Sequence, residues 1–183
     1  MYKRQDLGFT LKRDNDTIIF TNTSIRLSRE IFTLAHEIGH AVLHFENMDA
    51  FFENNSTVAD LDTDEKEQEA NYFAACLLMP QEKVEGFIDF EIEDSKNISA
   101  RDIAKMMVEF NVSFEMVVNR LLSLQFINEH EKILLNVAKV EAKVGNLIKS
   151  VGGGSALNRP SEEILIPEQY SQYALYNLSL IHI

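Results

Sequence analysis

The sequence predicts an α+β fold, in which a small antiparallel sheet packs on a pair of helices and a mostly helical C-terminal part follows. Three observations support this prediction. Two short, strand-like segments lie between Gly8 and Thr21. Two segments with helical periodicity then carry closely spaced histidines and glutamates, around residues 28–45 and 62–80. Apolar residues recur with helical spacing from residue 99 to about residue 150.

The first element is a hairpin. Gly-Phe-Thr-Leu-Lys and Thr-Ile-Ile-Phe are rich in β-branched and aromatic residues, and the polar run Arg13–Asp16 between them is typical of a turn. An edge strand of this kind can pair with an extended peptide by β-addition.

The next element is a helix containing His-Glu-Ile-Gly-His at residues 36–40. Ser28 is a good N-cap, and one stripe at +4, +3, +4, +3 spacing is expected to be buried: Ile31, Ala35, Ile38, Val42 and Phe45. His36 and His40 project from the opposite side, so we expect them to face solvent or a cleft. Gly39 costs roughly 1 kcal/mol relative to Ala in a helix, which the close approach of another backbone would explain.

This spacing favours a metal site. Histidines four apart on a helix share a face and can reach one ion, and Glu37 beside His36 is suited to act as the general base of a zinc-dependent hydrolase. His44 continues the series, but about 12 Å of helix rise separates it from His36, so both cannot bind one ion. A third ligand must come from elsewhere.

The second helix, in DTDEKEQEANYFAACLLMP, supplies that ligand. Asp62 or Thr63 can cap it, and Met79-Pro80 ends it. Glu67 shares a stripe with Ala70 and other apolar residues, whereas Glu69 projects to the wetter face. A carboxylate on an apolar stripe needs a partner. We therefore predict Glu67 as the third ligand, with Asn71 one turn later hydrogen-bonding a ligating histidine.

The remaining segments are less distinctive. Residues 46–61 are expected to form a loop and residues 81–98 to be irregular. Ser99 and Ser113 each cap a helix, and residues 129–150 are expected to form one helix.

Gly152-Gly153-Gly154 suggests a hinge, which divides the chain into a minimal peptidase-like domain, 1–150, and a C-terminal segment, 151–183. Residues 178–183 resemble the translation of a library-preparation adapter, so we expect the natural C-terminus to be missing and give His182 no role.

TLAHEIGHAVLH and EQEANYFAACLLMP resemble the two signature helices of the ImmA/IrrE family of metallopeptidases. The resemblance implies a minimal zincin-type, gluzincin-like domain. It makes His36, His40 and Glu67 the ligands of one Zn²⁺, or of another divalent transition metal such as Mn²⁺. It makes Glu37 the catalytic base and places Asn71 as a partner of the ligand set. It also implies a cytoplasmic bacterial or phage regulator that cleaves a helix-turn-helix repressor of a mobile element or stress regulon.

Composition bears on whether the protein binds nucleic acid or a membrane. The net charge of −12 argues against direct nucleic-acid binding, although residues 99–124 could be read as two helices of a helix-turn-helix with Arg120 as their basic residue. The single Cys76 and the lack of a long apolar run favour a reducing compartment and no membrane partner.

The competing interpretation of the metal site is a catalytically weak or inactive scaffold that binds a transcription factor. The residue that would stabilise the oxyanion is left open among several candidates: Tyr72, Arg120, His130, Tyr170, Tyr173 and Tyr176.

Overall fold

A computed structural model of the chain describes residues 7–13, 16–44 and 65–161. These residues form an antiparallel pair of strands, β1 (Gly8–Arg13) and β2 (Asp16–Thr21), and the helix α1 (Leu27–Leu43). Further helices are α2 (Glu65–Leu78), α3 (Gln81–Glu91), α4 (Ala100–Phe110), α5 (Phe114–Ser123), α6 (Glu129–Ala142) and α7 (Val144–Ser150), followed by a 3-10 turn at Ala156–Asn158. The α+β prediction is confirmed. The expected loop at 46–61 lies outside the described residues, as do the caps expected at Asp62 or Thr63.

The predicted hairpin is confirmed, with Gly8 opposite Thr21 and Arg13 opposite Asp16. Phe9 and Phe20 are paired across the strands and stack with their ring centroids 4.9 Å apart on the outer face. Alternation along β1 therefore turns Thr10 to the other face, where it is buried against α1. A Cβ on Gly8 would lie 2.5 Å from Cγ2 of Thr33, so the hairpin can sit this close to α1 only with glycine there.

Helices α1 and α2 pack with their backbones close together, as the sequence predicted from Gly39. A Cβ on Gly39 would lie 3.1 Å from the Cα of Ala70, and Ala70 is fully buried. This contact turns the face of α1 that carries His36 and His40 towards α2. The expectation that both histidines face solvent or a cleft was wrong for His40, which is buried.

Two other expectations for α1 were wrong. The helix begins at Leu27 with Arg26 at the N-cap position, and Ser28 is buried in the first turn without capping it. The N–H of Leu27 instead donates to the carbonyl oxygen of Arg159 (2.8 Å), so a distant segment satisfies the helix end. Within the described residues the predicted stripe is only partly buried, since Val42 is 62% exposed, and Phe45 lies outside those residues. The hairpin and α2 contact two different sides of α1, and a single stripe could not anticipate that.

The main hydrophobic core lies among α3, α4, α5 and the ends of their neighbours, and Phe114, Met79, Ile103, Met107 and Leu121 are almost fully buried in it. Ser99 and Ser113 cap α4 and α5 as predicted. Arg120 is buried, and its Nε donates to the carbonyl oxygen of Met79 (2.9 Å) at the end of α2. Arg120 therefore joins the α4–α5 pair to α2 and is not displayed for a phosphate group.

The expectation that residues 81–98 are irregular was wrong, because α3 occupies Gln81–Glu91. Val84 and Ile88 on α3 and Ile92 at its C-cap are buried one turn apart, a period that the many intervening acids obscured.

The single helix expected at 129–150 is two helices, because Lys143 has a positive φ of 62° between α6 and α7. The predicted apolar stripe of α6 is largely exposed, including Ile133, Val137 and Val140. At Gly153, a Cβ would lie 2.6 Å from side chains of both Ile148 and Val108. This glycine therefore allows a close contact with α4 and α7. The domain boundary at residue 150 stays a prediction.

None of the helices within the described ranges combines the length and the apolar composition that a membrane span requires.

Candidate metal centre

Three side chains from α1 and α2 converge on one point. His36 and His40 lie one turn apart on α1, and their Nε2 atoms are 3.0 Å from each other. Glu67 on α2 places Oε2 3.1 Å from Nε2 of His36 and Oε1 3.0 Å from Nε2 of His40. The Gly39–Ala70 contact lets the two helices approach closely enough for this to happen.

This cluster fits a divalent metal ion. Two imidazoles and one carboxylate are a ligand set typical of zinc, and ligands at about 2.0–2.1 Å around a tetrahedral ion lie roughly 3.3 Å apart. The observed separations of 3.0–3.1 Å are within a few tenths of an ångström of that value. His36, His40 and Glu67 could therefore hold a metal ion.

Burial and charge distinguish Glu67 from the neighbouring acid. The side chain of Glu67 is 13% exposed, whereas that of Glu69 is 55% exposed. Hydrogen bonds from His36 and His40 lower the pKa of Glu67 to about 2, so it remains a carboxylate. Burial by itself would lower the pKa of His36, but the hydrogen bond and the negative charge of Glu67 outweigh it and raise that pKa.

Asn71 lies beside His36, on the side away from Glu67. Nδ1 of His36 is 3.0 Å from Oδ1 of Asn71, so a protonated Nδ1 donates to the amide oxygen. That tautomer leaves the lone pair of Nε2 free to bind a metal. The structure thus brings Asn71 to the position that the sequence predicted for it.

Glu37 points from α1 towards the hairpin side of the site and is only 7% exposed. The hydroxyl of Thr10 lies 2.6 Å from Oε2 of Glu37 and 3.1 Å from its backbone carbonyl oxygen. When Glu37 is ionised, Thr10 can donate to Oε2 and fix the carboxylate, which leaves Oε1 as the oxygen available to accept a proton.

Sequence reasoning missed three residues around this site: Thr10, His44 and Glu69. His44 was rejected as a metal ligand, and the structure places it beside His40, with the two Nδ1 atoms 2.9 Å apart. Glu69 contacts Nε2 of His44 at 2.9 Å. The i, i+4 spacing from His40 could have indicated the His44 contact. No sequence signal linked His44 to Glu69, and none linked Thr10 to Glu37.

The residues considered for stabilising the oxyanion lie in different parts of the chain and differ in exposure. Arg120 is held by the carbonyl of Met79, which removes it from consideration. Tyr72 is 65% exposed and follows Asn71 on α2, and His130 is exposed in the first turn of α6. The three tyrosines at 170, 173 and 176 lie outside the described residues.

Comparison with protein families identifies a match. The family model described as Peptidase_M78, the IrrE N-terminal-like domain, matches residues 3–122. That range covers more than half of the chain and includes the hairpin, both site helices, α4 and all but the last residue of α5. No curated protein matches the chain.

Proposed function

The chain belongs to the IrrE N-terminal-like family of peptidases, and from this we propose that it is a zinc-dependent endopeptidase that cuts a helix-turn-helix repressor at one site. The observation that carries the proposal is the convergence of His36, His40 and Glu67, with Glu37 on the same helix turn. The repressor as substrate class rests on the resemblance to ImmA/IrrE peptidases, whose described members cleave such proteins in the cytoplasm.

The proposed mechanism divides the work among these residues. The Nε2 atoms of His36 and His40 and the carboxylate of Glu67 would hold the ion. When bound there, zinc would lower the pKa of a water molecule and polarise the scissile carbonyl. Glu37 would take the proton from the attacking water and deliver it to the leaving amine. A buried carboxylate is suited to this transfer, because few competing water molecules reach it.

The alternative, a scaffold that binds a transcription factor, makes no use of a general base. An intact Glu37 held by Thr10 therefore supports the enzyme over the scaffold.

The test compares wild type with Glu37→Gln, using a candidate repressor as substrate and metal analysis of both samples. We expect Glu37→Gln to keep one zinc and to lose cleavage by at least about 100-fold, the usual lower range for a missing general base. His36→Ala, His40→Ala and Glu67→Ala should each lose stoichiometric zinc. Glu109→Gln, an acid on α4, serves as the matched control and should cleave normally.

Equal cleavage by wild type and Glu37→Gln would contradict the catalytic assignment. Repressor binding without cleavage by either protein would support the scaffold.

A further inference from the structure

His44 and Glu69 form a chain of contacts that leads to His40. Nδ1 of His44 is 2.9 Å from Nδ1 of His40, and Nε2 of His44 is 2.9 Å from Oε2 of Glu69. The side chain of His44 is only 6% exposed, whereas Glu69 is 55% exposed. These contacts therefore link the partly exposed carboxylate of Glu69, through the enclosed imidazole of His44, to the predicted metal ligand His40.

The proton positions along this chain are tied together. His40 can offer the lone pair of Nε2 only as the neutral tautomer with its proton on Nδ1. That N–H can donate to His44 only if Nδ1 of His44 carries a lone pair. The proton of His44 must then be on Nε2, where it donates to Glu69. With both imidazoles neutral, only this arrangement satisfies all three groups and leaves the Nε2 lone pair of His40 for a metal.

The opposite arrangement prevents metal binding. With its proton on Nδ1, a neutral His44 would donate to Nδ1 of His40, and His40 would then carry its proton on Nε2. A carboxylate accepts hydrogen bonds and cannot donate them when ionised, so Glu69 disfavours this arrangement.

We propose that Glu69 and His44 are positioning residues that set the tautomer and ring orientation of His40 for metal binding. Asn71 has the same relation to His36 through a single amide. Thus both histidines have their outer nitrogen held by a partner, and both present Nε2 to Glu67. The inference rests on the metal site of the proposed function but not on peptide cleavage.

The experiment measures the zinc Kd of the full chain by competition with a chromophoric chelator. We expect His44→Phe to weaken zinc binding by about 10- to 100-fold and Glu69→Ala by about tenfold, the scale for partners of ligating histidines. Glu69→Gln should stay within about threefold of wild type, because its amide oxygen can accept the same hydrogen bond from His44. At excess zinc all these variants should still load one ion, since neither residue is a ligand.

A matched control separates this role from general charge. Glu65→Ala removes another exposed acid from α2 and should change the zinc Kd by less than about twofold at 150 mM salt, where exposed charges are screened. The double variant His44→Phe/Glu69→Ala should bind zinc no more weakly than His44→Phe alone, because the two residues act in series. Nitrogen NMR of the zinc-loaded protein should show the Nδ1–H of His40 hydrogen-bonded to His44 in wild type and Glu69→Gln, and a weaker hydrogen bond in Glu69→Ala.

Three results would overturn the proposal: a wild-type Kd in Glu69→Ala, equal weakening by Glu69→Gln and Glu69→Ala, or additive losses in the double variant. If His44→Phe does not fold, the Glu69 variants decide, because that side chain is more than half exposed. Graded zinc affinities without cleavage of any repressor would leave this proposal standing and refute the proposed function. A wild type that binds no zinc would refute both.

Discussion

The Glu37 side chain shows how one residue on another element can prepare a reactive group. Its carboxylate is buried, and the hydroxyl of Thr10 lies 2.6 Å from Oε2. A buried carboxylate without a partner would be costly and free to rotate. Thr10 therefore gives the buried carboxylate of Glu37 a hydrogen bond and restricts which carboxylate oxygen faces the site.

Replacing Thr10 tests this contact. Thr10→Val keeps the shape and the β-propensity of the side chain but removes the hydroxyl, so we expect kcat for repressor cleavage to fall by about 10- to 100-fold, the effect of a misplaced reacting group. KM and zinc content should stay near wild type. Thr10→Ser, which keeps the hydroxyl, should recover most of the rate. A fall in stability with kcat unchanged in Thr10→Val would assign Thr10 a purely structural role.

Asn71 is tested by metal affinity. Asn71→Ala removes the acceptor for Nδ1 of His36, so we expect the zinc Kd to rise by about 10- to 100-fold while the fold is retained. Asn71→Asp keeps an acceptor at the same position and serves as the control. If Asn71→Ala binds zinc and turns over substrate like wild type, the amide has no part in the site.

At the scale of elements, the separation of α1 and α2 determines whether Glu67 can reach the histidines. Gly39 allows this separation, because a Cβ there would lie 3.1 Å from the Cα of Ala70 and 3.2 Å from the ring of Phe73. The packing of the two helices is therefore part of the metal site.

Gly39→Ala should force the helices apart by a few tenths of an ångström. Overpacking of this kind costs about 1–3 kcal/mol, and the better helix propensity of Ala returns only about 1 kcal/mol. We expect lower stability in urea unfolding and weaker zinc binding. Gly86→Ala on α3 is the matched control, since nothing lies within 4 Å of its Cβ position, and it should be neutral or stabilising. If Gly39→Ala is as stable as Gly86→Ala and binds zinc normally, close packing is not what positions Glu67.

At the scale of the whole molecule, the net charge of −12 bears on the choice of substrate. A strongly acidic protein attracts a basic partner such as a DNA-binding repressor and repels acidic proteins. Because salt screens this attraction, cleavage of a repressor should slow as ionic strength rises from about 50 to 200 mM, where the Debye length falls below roughly 10 Å.

The measurement is the initial rate of cleavage across that salt range, with casein as the comparison substrate. A rate independent of salt, or equal cleavage of repressor and casein, would argue for a general peptidase in place of a steered, site-specific one.

The sequence by itself determined the parts of this protein that depend on local geometry. The helical period places His36 and His40 on one face, separates Glu67 from Glu69, and puts Asn71 one turn after Glu67. Strand propensity and a polar turn were enough for the hairpin, and a mid-helix glycine indicated a close backbone contact, which the structure places at Ala70. Each of these inferences uses residues within one element or a steric property of one residue.

Only the tertiary structure decided which elements face each other. The partners Thr10 for Glu37, Glu69 for His44 and Met79 for Arg120 are between 25 and 41 positions apart in the chain. Tertiary packing also decided the N-terminus of α1. The carbonyl oxygen of Arg159 accepts from the N–H of Leu27 there, whereas the local capping signal at Ser28 gave the wrong start. A helical or strand period specifies which side chains share a face, but the packing of the whole chain selects what that face meets.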